Sequence, residues 1–160
     1  MNRDDIVAVV LASVIAAMLM FVMYKIACKT KSRRDGEWRR EWETLGWPIA
    51  FLGQHSIVAR MLSDFCSAAG VHFRVLSAPQ EIRSGELLVW HISTATSEEL
   101  SAAFGFLCSQ TGQVILLARR SQLRALASLS GRVATLTYPF IGSFHSQLIC
   151  EAKRLKSASA

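Results

Sequence analysis

The chain has 160 residues, room for one ordinary domain, and 51% of them are hydrophobic. One apolar run near the N-terminus inflates that share, and the roughly 110 residues that follow it are enough to bury a core without metals or disulfides. The net charge of +6 does not mark a nucleic-acid binder, because the basic residues gather directly behind the apolar run, where lipid headgroups account for them. Cys28, Cys66, Cys108 and Cys150 lie far apart with no close His, which excludes the usual zinc and redox spacings and reads as reduced cytosolic thiols. The last three fall in helical patterns and are expected to pack in the core, whereas Cys28 sits beside the membrane.

Residues 6–24, IVAVVLASVIAAMLMFVMY, contain no charge and no proline. At about 1.5 Å per residue such a helix crosses a hydrocarbon core of about 30 Å, so residues 6–26 are expected to span a membrane. A cleaved leader would carry positive charge ahead of the run and a small-residue site behind it. Here Arg3 is offset by Asp4 and Asp5, and Tyr24 and Lys25 follow, so the segment reads as an anchor. Lys25, Lys29, Lys31, Arg33 and Arg34 are expected at the membrane surface on the cytoplasmic side, which leaves residues 1–5 outside and the remainder inside. Residues 27–47 form a basic linker containing Trp38, Trp42 and Trp47, read as a short amphipathic helix whose tryptophans touch the headgroups.

From residue 48 to 156 short β-branched runs alternate with helical patterns, the mark of βα units and a mostly parallel sheet; residues 157–160 are a tail. A first strand over 48–53 precedes a helix over 56–69, with Ile57, Met61, Leu62, Phe65 and Ala69 on its inner face and Gly70 ending it. A second strand, 72–77, is followed by a connection over 78–85 with space for one turn of helix. The third strand, 87–92, leads to a helix capped by Thr96 and Glu99, with Leu100, Ala103, Phe104, Leu107 and Cys108 in a stripe. A fourth strand, 114–118, precedes a short helix capped by Ser121, with Leu123, Leu126 and Leu129 inward before Gly131. The fifth strand, 133–137, and Tyr138-Pro139-Phe140 lead into a helix over 143–155 that buries Phe144, Leu148, Ile149, Ala152 and Leu155. Lys153, Arg154 and Lys156 lie near its C-terminus, where the dipole suits them. These five units predict an α/β fold with a five-stranded parallel, doubly wound sheet behind one transmembrane helix.

The order and spacing from residue 48 to about 155 resemble the receiver domain of two-component response regulators. The turn Gly53-Gln54-His55-Ser56 is similar to the one after that family's first strand, and Tyr138-Pro139-Phe140 is similar to its Lys-Pro-Phe element. The resemblance implies the strand order 2-1-3-4-5 and a cis peptide before Pro139. Active receivers hold Mg²⁺ with an acidic pair after the first strand and phosphorylate an Asp ending the third. They complete the site with a hydroxyl after the fourth strand and a lysine before the proline. In this chain those places fall on Gly53 and Gln54, His91, Ala118, and Tyr138 before Pro139. Without an Asp nucleophile or Mg²⁺ ligands, aspartyl phosphorylation is not expected. The resemblance thus implies a pseudo-receiver without metal or cofactor, in which His55, His91 and Tyr138 fill the former pocket.

The leading functional expectation is a regulatory interaction module at the inner membrane of a bacterium, docking a histidine kinase, a phosphotransfer protein or another two-component protein, with a second copy of the chain as a further candidate. The family's docking faces would carry Arg60, Arg119, Arg120, Gln122, Arg124, Phe144 and Gln147. A second expectation, from another class, is a small-ligand or nucleotide sensor at the C-terminal edge of the strands. Gly53-Gln54-His55-Ser56 has a single glycine, so no phosphate cradle is written there. A third is a structural subunit of a membrane complex, with Ala12, Ser13, Ala16 and Ala17 permitting close helix approach. No G-x-S-x-G, H-E-x-x-H, paired catalytic carboxylates or Cys/His pair points to an enzyme.

Overall fold

A computed structural model describes residues 3–109, 113–126, 133–141 and 143–159. The chain divides into two compact units, Met1–Glu37 and Trp38–Ala160. The first holds most of helix α1 (Arg3–Glu43), whose stretch from Ser13 onward is long and apolar enough to cross a membrane. Its Met18, Leu19, Met20, Phe21 and Met23 side chains are exposed, as a lipid-facing helix requires.

The second unit contains β1 (Ile49–Leu52), α2 (Ser56–Ala69), β2 (Phe73–Leu76), a single 3₁₀ turn (Pro79–Glu81) and β3 (Leu87–His91). It continues through α3 (Ser97–Ser109), β4 (Gln113–Ala118), α4 (Leu123–Leu126), β5 (Val133–Thr137) and α5 (Phe144–Ser159). All five strands are parallel, as the βα pattern predicts, in the order β2-β1-β3-β4-β5 that the resemblance implies. Near-continuous apolar runs such as IAFL and LLVWH suit strands covered on both faces.

Alternation along the strands separates two cores. Ile49 and Phe51, Leu87 and Val89, Ile115 and Leu117, and Ala134 and Leu136 point to a face closed by α2, α5 and the last turns of α1. Ala50 and Leu52, Leu88, Val114, Leu116 and Val133 point to the opposite face, with Leu107 of α3 and half-buried Ile82 and Leu123. Gly70, at φ 70°, ends α2 in a left-handed cap whose N–H reaches back to the last turn. Thr96 and Glu99 form the expected reciprocal cap of α3: the Thr96 N–H donates to the Glu99 carboxylate at 2.7 Å, and the Glu99 N–H to Thr96 Oγ1 at 3.3 Å.

Several expectations about faces change. On α2 the buried set is Val58, Leu62, Phe65, Cys66 and Ala69, while Ile57 is 64% exposed; the stripe begins one residue later than periodicity alone suggests. On α3, Phe104 is exposed and Phe106 packs against the core instead. Cys66 is buried, which pushes its thiol up to about 12, whereas Cys150 is exposed and does not pack in the core. Leu129 and Gly131 lie outside the described residues, as do the side chains of Leu100, Cys108 and Leu126. The helix α5 buries Phe144, Leu148, Ile149, Ala152 and Leu155 as expected. Its basic end does more than meet a dipole: Lys156 donates to the Thr44 and Leu45 carbonyls, and Lys153 pairs with Glu41 at 3.2 Å.

The tryptophans bring the largest correction. Trp42 is 2% exposed, and its indole N–H donates to the Trp47 carbonyl at 2.8 Å. Trp38 and Trp47 are half-buried against the same core. In place of the headgroup contact expected for them, Trp38 meets Phe65 and His145, Trp42 meets Phe65, and Trp47 packs against the same core, so the folded unit starts at Trp38.

Candidate functional site

Strand β3 delivers adjacent side chains to opposite faces at its C-terminal end, His91 to the α2/α5 side and Trp90 to the α3 side. Each nucleates a separate feature. On the first side, His91 meets His55, which sits at the N-cap of α2, with ring centroids 4.9 Å apart. Tyr138, directly after β5, closes the group at 5.2 Å from His55 and 4.9 Å from His91. The Tyr138 hydroxyl and His55 Nε2 share a hydrogen bond of 2.8 Å, and His91 Nε2 lies 2.9 Å from Ser93 Oγ. His91 is 4% exposed. Burial, the neighbouring His55 and the Arg119 charge hold its imidazole down to about 4, so it is neutral near pH 7. The Nδ1 atoms of His55 and His91 are buried without a protein hydrogen-bond partner.

These rings continue an aromatic chain into the core: Tyr138 to Phe140 at 5.3 Å, Phe140 to Phe144 at 4.3 Å, and Phe144 to His145 at 5.6 Å. From His145 it reaches Phe65 and Trp38. Gly53 permits the closeness of β1 and β3 here. Its φ is 150°, and a Cβ would come within 2.8 Å of the His91 Cβ, so any other residue would force the two strand ends apart. Ala118 is fully buried, and its carbonyl accepts the Tyr138 N–H at 2.8 Å. The Tyr138–Pro139 peptide is cis, as expected.

The positions that the resemblance gathers into one pocket meet in space: Gly53, His91, Ala118 and Tyr138 surround one edge, with Gln54 beside them. This set does not fit Mg²⁺, which wants several hard oxygen ligands. Among the described residues no group of three or more His, Cys, Asp or Glu side chains is placed to hold a metal.

On the α3 side lies a cleft of about 570 Å³, bounded by the ends of β1, β2 and β3 and by α3. Gln54, Ser77, Gln80, His91, Thr94 and Glu99 are among its polar lining, and Trp90 and Phe106 form an aromatic wall. Of this lining the sequence marks Gly53, Gln54 and His91 as candidate site residues, and Glu99 and Ala103 as helix cap and stripe. The signal that was there to use is the two-residue alternation along β3, which sends Trp90 away from His91.

The residues expected to dock a partner divide. Arg60, Arg119, Arg120 and Arg124 are exposed. Phe144 is 2% exposed and belongs to the core, so it offers no docking surface. Gln122 is engaged within the fold, accepting the Arg119 N–H at 2.8 Å and donating to the Ile92 carbonyl at 3.0 Å. Gln147 donates to the Ile141 carbonyl. Comparison with known protein families, curated proteins and solved structures finds no match to the chain.

Proposed function

We propose that the protein is a membrane-anchored, receiver-like module that cannot be phosphorylated on aspartate and that regulates a signalling pathway by docking a two-component protein, a histidine kinase or a phosphotransfer protein. The observation that carries the reading is the filling of the strand edge. The side chain ending β3 is a buried, neutral imidazole locked between His55, Tyr138 and Ser93, where a phosphoryl acceptor would need an exposed carboxylate and a cation. A pocket closed in this way favours a constitutive docking conformation over a phosphate-gated one.

Exposed Arg60, Arg119, Arg120 and Arg124 suit an acidic partner surface, since rim charges steer association more than they tighten it. The apolar part of α1 and the basic residues Lys25, Lys29, Lys31, Arg33 and Arg34 support an anchor in a bacterial inner membrane with the folded unit on the cytoplasmic face.

The test is crosslinking of the full-length, membrane-inserted chain in its native cells, compared with a variant truncated after Glu37, where the folded unit begins. Recovery of a histidine kinase, phosphotransfer protein or response regulator with the intact chain alone supports the proposal. Recovery of known membrane neighbours without any of these overturns it.

A further inference from the structure

The cleft on the α3 side borders the imidazole cluster through Gly53 and His91, and its own chemistry is legible. It lies where the strand order turns from β2-β1 to β3. There the connections of neighbouring strands leave to opposite faces and open a crevice, which is where doubly wound folds bind ligands. Its volume of about 570 Å³ falls within the roughly 300–1,000 Å³ of small-molecule sites.

One wall is aromatic. Trp90 is half-buried and meets Phe106 edge to face at 5.9 Å and 78°, which leaves a flat apolar surface next to the opening. The helix α3 also contributes Ala102 and Ala103 to the lining, side chains too small to fill the space. Most of the polar lining is uncharged amide or hydroxyl: Gln54, Gln80, Ser77 and Thr94 can each both donate and accept hydrogen bonds, and the buried His91 imidazole borders them. Among the described residues no lysine or arginine lines the cleft, and the one acid that does is Glu99, whose carboxylate accepts the Thr96 N–H at 2.7 Å. A phosphate would find no cation there and would meet a carboxylate, at a cost that burial increases.

We infer that this cleft binds an uncharged purine-type heteroaromatic, a nucleoside lacking phosphate, stacked on the Trp90–Phe106 wall and read at its edge by the glutamine amides. A flat ring uses the aromatic surface, stacking being worth about 1–3 kcal/mol per base. Alternating donors and acceptors on one edge match a glutamine amide, which pairs bidentately with adenine. The inference does not rest on the docking proposal, and either can fail alone.

Equilibrium dialysis of the detergent-solubilised full chain against adenosine and against AMP tests it. Adenosine is expected to bind saturably, and AMP, differing by a dianionic phosphate, about tenfold more weakly or worse. Ala102→Trp, at an exposed position on the cleft, is expected to weaken adenosine at least about tenfold with an unchanged urea midpoint. Thr94→Tyr, at a second exposed lining position, gives the same reading should the first variant misfold. No saturable adenosine binding, AMP binding as tightly as adenosine, or a folded blocking variant that binds like the wild type each overturns the inference.

Discussion

The two faces of the sheet are closed by different means. Toward α2 and α5 the core is continuous, running from Phe51 and Val89 through Phe65 and Phe144 to Trp42, with the His55, His91 and Tyr138 cluster at its edge. Toward α3 the core is thinner, an ion pair flanks it, and the cleft is open at one end. Arg74 shows the contrast within one strand. It is in register with Ala50 on the α3 face and binds Glu86 through two side-chain hydrogen bonds of 2.8 and 2.6 Å, whereas the preceding Phe73 packs against the aromatic core. One face secures the fold and the other keeps a space in it.

Five substitutions would sharpen or break this contrast. The largest effect belongs to Trp42→Ala, which should lower unfolding stability in urea by about 3–5 kcal/mol, because a buried aromatic and its indole hydrogen bond are lost together. Trp90→Ala on the open face should cost about half as much or less, since its ring already meets solvent. Equal losses would mean that the faces are not energetically distinct.

Next is the pH dependence carried by His91. Its folded value near 4 lies below the ordinary value of 6.5, so the unfolded chain binds the extra proton first. The neutral imidazole therefore contributes stability above about pH 6.5 that is lost as pH falls toward the folded value. The loss should be on the order of 2–3 kcal/mol between those limits. His91→Gln should flatten the urea midpoint over this window; an unchanged slope would show that the ring is not held neutral by its surroundings.

A smaller effect is expected on the open face. The hydrogen bond from Arg74 holds the Glu86 carboxyl below the usual range, against the opposing effect of burial and with help from the Arg83 N–H. Its folded value is depressed, so its contribution is present above the unfolded value of about 4.3 and lost as pH falls through the folded one. Glu86→Gln should cost about 1–2 kcal/mol at pH 7, and the gap from wild type should close in acid. The smallest change is Thr96→Ala, which removes half of the α3 capping box for about 1 kcal/mol. It should lower amide-exchange protection in α3 while leaving that of α2 as in the wild type.

Much of the fold is legible residue by residue. Short apolar strands, Gly70 as a helix stop, and the Thr96-Glu99 pair each act over a few neighbours, so the signal and its structural result lie in the same few residues. The candidate site is legible in part. Gly53, His91, Ala118 and Tyr138 could be gathered on paper because each ends or follows a strand, and parallel strands bring such ends to one edge. Ser93 as the partner of His91, and Trp90 with Phe106 as the wall of a cleft, depend on which face each side chain takes. For Phe104 and Phe106 a helical stripe does not settle that choice until its partner is present.

The sequence by itself determined an apolar segment fit to cross a membrane, the alternation of strands and helices, and the absence of a carboxylate at the end of β3. These follow from local composition and period. Only the tertiary structure decided that Trp38, Trp42 and Trp47 belong to the folded unit and not to the headgroups, that Phe144 is core and not a docking surface, and that the two sides of β3 carry unlike chemistry. A tryptophan lowers its free energy by leaving water for either a bilayer interface or a protein interior. The choice between those two environments is made by Phe65 and His145, on α2 and α5, which supply the rings that meet Trp38.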